Sequence, residues 1–224
     1  MKRTKLCNRV LPNYTKGEEI FNMVTHICGG ALGLVALVLL PTFSAIHHNP
    51  YGIISGIIMG ISMIILYTMS SIYHGLSPKL NAKKIFQIFD HCAIFLLIAG
   101  TYTPFCLCTL RQYNTKLGWI IFTIIWLAAT FGIIINSIDI KKYKAISMIC
   151  YLLMGWCIIF KISILPQLLT NIGFTLLLAG GIIYSIGAIL YGLGKKRKYI
   201  HSIFHITIFL ANLLHFLCVL LYVI

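Results

Sequence analysis

The chain has 224 residues, 59% of them hydrophobic and only 10% charged, with a formal net charge of +14. So few charges exclude an ordinary soluble domain, and the apolar runs leave no room for a separate one. The positive excess raises nucleic acid as a partner, but its distribution along the chain excludes that too.

A helix needs about 20 apolar residues to cross a bilayer. Such runs recur from end to end, at roughly 20–43, 51–74, 85–109, 117–136, 145–165, 168–192 and 200–223 by length and hydropathy. The first is longer than a signal-peptide core and has no small-residue cleavage site after it, so it reads as a retained helix. The expected fold is an all-α integral membrane protein, a seven-transmembrane helix bundle. Residues 1–17 form a basic cytoplasmic tail, and 18–224 a single membrane domain.

The charges orient it. The tail holds Lys2, Arg3, Lys5, Arg9 and Lys16. The loop after the second run holds Lys79, Lys83 and Lys84. The loop after the fourth holds Lys141, Lys142 and Lys144, and the loop after the sixth Lys195, Lys196, Arg197 and Lys198. Only Arg111, Lys116 and Lys161 fall on the opposite side. The positive-inside rule then puts the N-terminus in the cytoplasm and, after seven spans, the C-terminus outside. The basic excess is a topology signal and a contact for anionic membrane lipids, not a nucleic-acid patch.

In chain order, Glu18 and Glu19 open the first helix, where carboxylates suit the helix dipole. Asn22, His26, Gly29 and Gly33 follow on one face, the glycines inviting a close neighbour. His47 and His48 read as solvated loop residues. The second helix carries Gly52, Gly56 and Gly60 and ends with Ser70 and His74, one turn apart. The third begins near Ile85 and presents Asp90 early. Pro104 should kink it or help end it. Cys106 and Cys108 lack the spacing of a redox or zinc pair, and no disulfide is assigned. Trp119, Trp126 and Trp156 read as apolar anchors, Asp139 as a solvated counter-charge, and Lys161 as a snorkelling end residue. Gly180, Gly181 and Gly187 mark close packing on the sixth helix. The seventh carries His201, His205, Asn212 and His215 on one side, which should face the bundle.

This topology brings Asn22, His26, His74, Asp90, His201 and His205 to one depth, in the cytoplasmic leaflet. His201 and His205 are spaced for two ligands from one helix, and His74 makes a third nitrogen. Three protein ligands with an open fourth position is the catalytic zinc pattern, whereas structural sites are closed by four. A plainer alternative stands beside it: membrane histidines as helix-contact hydrogen bonders, Asp90 as an interhelical partner, and Ser70 bonded to the carbonyl four residues back.

Glu18-x-x-x-Asn22-x-x-Thr25-His26, Ser70-x-x-x-His74, Asp90 with the following run to Gly100-Thr-Tyr-Thr-Pro104, and His201-x-x-x-His205 with the later His215-Phe together resemble the haemolysin III family. That family is the bacterial branch of the progestin and adiponectin receptor superfamily. The match keeps the family's order over nearly the whole chain. The resemblance implies zinc on His74, His201 and His205, with a water completing the site. It places Asp90 against that water and Ser70 beside it. The expected catalytic groups are Asp90 and Ser70, with Asn22, His26 and Glu18 supporting the ligands from behind. Relatives with this site hydrolyse lipid amides, and family members are also described as cytolytic. The resemblance further implies the bacterial plasma membrane.

Three functions follow as expectations: a zinc-dependent intramembrane hydrolase of a lipid amide or ester, a haemolysin-like or channel-like protein, and a lipid-responsive regulator with structural zinc. Membrane lipids are the expected partners. The oligomeric state is left open by the sequence.

Overall fold

The computed structural model describes residues 4–193 and 198–224, apart from the side chain of Cys7. The tail charges Lys2 and Arg3 and the loop charges Lys195, Lys196 and Arg197 lie outside the described residues. Seven helices among the described residues are long and apolar enough to cross a membrane. They are α1 (Lys16–Ile46), α2 (Pro50–Gly75), α3 (Asn81–Tyr113), α4 (Thr115–Asp139), α5 (Lys144–Lys161), α6 (Leu165–Leu193) and α7 (Ile200–Tyr222). Large aliphatic residues such as Val38, Leu127, Leu153 and Ile189 are more than 60% exposed. On a helix bundle such a surface faces lipid, because helices satisfy their own backbone groups and need no water.

The bundle is assembled from close helix pairs, with α1 against α2, α2 against α3, α3 against α4, α6 against α7, and α1 closing on α7. The most enclosed helix is α3, while α5 meets its neighbours only briefly. The face of α1 that carries Asn22, His26, Gly29 and Gly33 is buried and continues through Ala36 and Leu40. Gly29 is required by this contact: a Cβ there would land in the ring of Tyr67 on α2. Gly29→Val should therefore cost about 1–3 kcal/mol through overpacking. Reversible unfolding in mixed micelles, compared with an exposed Leu34→Val control, measures it.

The helices depart from their expected ends in three places, each with a local cause. Pro104 neither kinks α3 to an end nor stops it. The helix continues to Tyr113 through a π-helical turn at Phe105–Leu110. Proline removes one N–H and crowds the carbonyl four residues back, and a π-bulge takes up the slack. Just before it, the Thr101 and Thr103 hydroxyls donate to the carbonyls of Leu97 and Ala99 at 3.0 and 2.8 Å. Second, α5 is α-helical only to Gly155 and tightens to a 3₁₀ turn over Cys157–Lys161. Tyr102 repairs the break: its hydroxyl donates to the Gly155 carbonyl at 2.7 Å and accepts from the Ile158 N–H at 3.3 Å. Third, α3 starts at Asn81, which carries Lys83 into its first turn.

Asp139 is not a solvated counter-charge. It is buried at the end of α4, accepts both the N–H and the hydroxyl of Thr4, and caps the Lys141 and Lys142 N–H groups at 3.1 Å. A carboxylate facing this many donors is satisfied without water. The bond to Thr4 draws residues 4–15 across the end of the bundle where α1, α3 and α7 begin. Below this is called the tail end.

Candidate metal centre

At the tail end the helix starts are tied together. Thr15 caps α1 in a capping box: its hydroxyl accepts from the Glu18 N–H at 3.2 Å, and the Glu18 carboxylate accepts from the Thr15 N–H at 2.8 Å. This satisfies donors that helix starts leave free. The second Glu18 oxygen accepts from the Tyr199 N–H at 2.7 Å. Tyr199 holds the left-handed conformation, φ 63°, just before α7. Glu18 thus joins the start of α1 to the start of α7, and does so by capping. This sets His201 and His205 against His26.

Three buried histidines from two helices converge there. His74 ends α2, and His201 and His205 lie one turn apart on α7. Ligand nitrogens from all three lie within 4.8 Å of one another. The Nε2 atoms of His201 and His205 are 3.0 Å apart. The remaining nitrogens explain which edges face inward. His205 Nδ1 meets His26 Nε2, and His74 Nδ1 donates to a Glu19 carboxylate oxygen at 2.7 Å. With its proton committed to Glu19, His74 carries a bare Nε2. That atom is buried and has no partner among the described residues.

Glu19 is itself held. Its other oxygen accepts from the Lys83 ammonium at 2.7 Å. Lys83 is 1% exposed and donates also to the Leu76 carbonyl at 2.9 Å, one of the carbonyls left free where α2 ends. The ammonium stands over the Tyr73 ring as well. Lys83 on α3 therefore fastens the end of α2 to the start of α1, and through Glu19 fixes the ring of His74. Asn22 lies behind the same ring, its Nδ2 3.5 Å from His74 Nδ1.

The donor set fits a metal ion. Two ligands of a tetrahedral zinc stand about 3.3 Å apart, close to the spacing of the two α7 nitrogens. A buried imidazole nitrogen without a partner is costly, and an ion between the three rings removes that cost. Metal-binding histidines ordinarily donate their other N–H to a carboxylate or another acceptor. Glu19 does this for His74, and His26 for His205.

The centre borders a cavity of about 880 Å³ whose wall includes His26, Ser70, Asp90, His201 and His205. Ser70 is buried, its hydroxyl without a partner among the described residues. Asp90, one turn beyond Phe86 on α3, is partly buried at the same wall. From there the cavity runs past Ile94, Leu97 and Ile208 to Tyr184 and His215. Thr4 and residues 8–15 line it too, and Tyr14 stacks on His201 with ring centroids 4.8 Å apart and planes 15° apart. Burial raises the Tyr14 hydroxyl far above its ordinary ionisation range, so it stays a neutral phenol.

Glu19, Lys83 and Tyr14 join the centre without having been singled out from the sequence. Glu19 did carry a signal: with Asn22 and His26 it follows the 3-and-4 spacing of one helix face. Tyr14 lies in an irregular segment without periodicity, and Lys83 read as one of several loop charges.

The family model described as "Haemolysin-III related" matches residues 14–216. "Hemolysin-3" of Bacillus cereus is 43% identical over 207 residues, covering 92% of both chains. "Hemolysin-3 homolog" of Bacillus subtilis (strain 168) is 40% identical over 209 residues, covering 93% of this chain and 96% of the other. The human "Monocyte to macrophage differentiation factor" is 26% identical over 205 residues, covering 89% and 82%. With seven membrane-crossing helices and a match spanning them all, the chain is a multi-pass membrane protein of the haemolysin III family, within the progestin and adiponectin receptor superfamily.

Proposed function

We propose that this protein is a zinc-dependent hydrolase of a lipid amide or ester, seated in the plasma membrane with its tail end toward the cytoplasm. The observation that carries this reading is the convergence of three histidines, two of which, His201 and His205, share the wall of one mainly apolar cavity with Asp90 and Ser70. His74, His201 and His205 would hold the ion. Zinc bound at such a site lowers the pKa of a water toward about 7 and polarises a carbonyl.

The protein's own groups supply the rest. Asp90 takes the proton from the attacking water and returns it to the leaving nitrogen or oxygen, as a positioned general base and acid. The Ser70 hydroxyl, which has no partner among the described residues, donates to the oxygen that gains charge. The apolar stretch at Ile94, Leu97 and Ile208 receives the chain of the lipid and keeps bulk water from the reacting end. Tyr14 and the segment around it cover the histidines from the aqueous side. Membrane lipids reach the cavity sideways, past the loosely packed α5.

Purified protein incubated with ceramides and acyl esters should release fatty acid only when zinc is present. Asp90→Asn should lower that rate roughly 100-fold while keeping the metal. A broad panel without a zinc-dependent product would remove the hydrolase reading. An Asp90→Asn variant as active as the parent would take this carboxylate out of the reaction. A second reading, membrane lysis, rests on the names of two relatives, "Hemolysin-3" and "Hemolysin-3 homolog". It requires purified protein to lyse red cells, and His205→Ala to leave lysis unchanged if the centre plays no part in it.

A further inference from the structure

The far end of the cavity is a hydrogen-bonding pocket whose protons are already spent. His215 lies on α7 and is buried. Its Nε2 is 3.2 Å from the Leu177 carbonyl, so that nitrogen carries the hydrogen and donates it. The same edge of the ring fits over Gly180, where a Cβ would overlap it. The other nitrogen, Nδ1, is then a bare acceptor. It is buried without a partner among the described residues, on a side chain that lines the cavity.

Tyr184 stands beside it with ring centroids 5.3 Å apart, also on the cavity wall. Its hydroxyl donates to the Asn212 carbonyl oxygen at 2.7 Å. Asn212 in turn donates to the Tyr67 hydroxyl at 2.8 Å and to the Ile208 carbonyl at 3.1 Å, so its amide is fully engaged and cannot turn over. The Tyr184 oxygen thus keeps lone pairs but has no proton to give. Two acceptors, one of them wholly unpartnered among the described residues, belong to side chains that line the cavity. A buried acceptor in this position calls for a donor.

We propose that this pocket binds a hydroxyl or amide N–H carried along the chain of a single-chain lipid whose reacting head lies at the histidine centre. This rests on the lipid reading of that centre. The spacing sets where on the chain the donor sits. His215 is ten residues beyond His205, or about 15 Å along a helix. An extended chain advances about 1.2 Å per bond, so the donor falls about twelve bonds from the head. The cavity, at about 880 Å³, lies within the usual range for small-molecule sites. Because both wall groups accept, the pocket distinguishes a hydroxyl from a ketone at the same carbon. A site built to bond a hydroxyl discriminates strongly against its analogue without one.

The test is binding, not turnover. The full chain in zinc-loaded form is titrated with stearate, 12-hydroxystearate and 12-ketostearate by displacement of a fluorescent fatty acid. The hydroxy acid should bind about 10-fold more tightly than either of the others. His215→Phe should lose the preference, so that it binds the hydroxy acid no more tightly than stearate. Should that variant lose stearate as well, Tyr184→Phe decides: it keeps the ring and should cut the preference roughly threefold. Equal binding of the three acids by the parent overturns the inference, since Nδ1 is then served by water alone. So does a preference that survives in both variants. Failure of all three acids to bind overturns it together with the lipid reading. A preference that persists in His201→Ala, after the metal is gone, supports the far pocket even if the zinc reading fails.

Discussion

Alanine at His205 should weaken zinc binding by roughly 500-fold. Structural zinc binds with about 10–16 kcal/mol, and sharing that among four ligands gives about 2.5–4 kcal/mol each, the upper part of which is the equivalent of that factor. His205 is central to the cluster: its Nε2 faces His201 at 3.0 Å while its Nδ1 engages His26. His201→Ala and His74→Ala should lose the metal to a similar degree. His26→Ala, which only removes the acceptor behind His205, should cost 10- to 100-fold. Metal content of the purified variants, followed by competition with a chelator of known affinity, separates the two classes. Stoichiometric zinc in both His201→Ala and His205→Ala would mean that these histidines do not form the site.

Glu19→Gln should be nearly as damaging, and to stability as well as to metal. The side chain keeps its size but can no longer balance Lys83, whose ammonium is 1% exposed. Removing one partner of a buried ion pair costs about 3–5 kcal/mol, because the other charge is left behind. For a chain of this size that amounts to a fall of about 10 °C in the unfolding midpoint. The partner of His74 Nδ1 becomes a neutral amide at the same time, and zinc affinity should drop 10- to 100-fold. Lys83→Met alone should also destabilise, since the Leu76 carbonyl and Glu19 lose their donor. The double variant is the informative one. With both charges gone the penalty should be well below the sum of the single losses. Strictly additive losses in thermal unfolding would mean that the pair is not coupled, and Lys83 would then have no hold on His74.

Hydropathy carried most of the architecture into plain view. Seven apolar runs became seven helices, and the polar face of α1, from Asn22 through Gly33, is buried as its spacing requires. The histidines were legible because one turn separates His201 from His205 and because helices of alternating direction bring His74 to the same end. What stayed hidden depended on single residues of rotation or on contacts distant in sequence. Glu18 and Glu19 are neighbours at a helix start, yet about 100° of rotation separates them. One turns back to cap the helix, and the other turns in to the histidine. Lys83 was hidden by the early start of α3, which places it inside the bundle and not in a loop. Asp139 needed Thr4, 135 residues away, to draw it out of solvent. The break in α5 at Trp156 leaves no mark in composition, because the run stays apolar on both sides of it.

The segment from Thr4 to Thr15 has a practical meaning for work with this protein. A short, basic, irregular leader looks expendable, the kind of stretch trimmed for crystallisation or left open to proteases. Here it is a wall of the site, with Tyr14 stacked on a histidine nearly two hundred residues away in sequence. A cut after Arg9 or Lys16 would not tidy a loose end. It would take Tyr14 off His201 and strip the cavity of the wall that this segment supplies, baring the histidines to water.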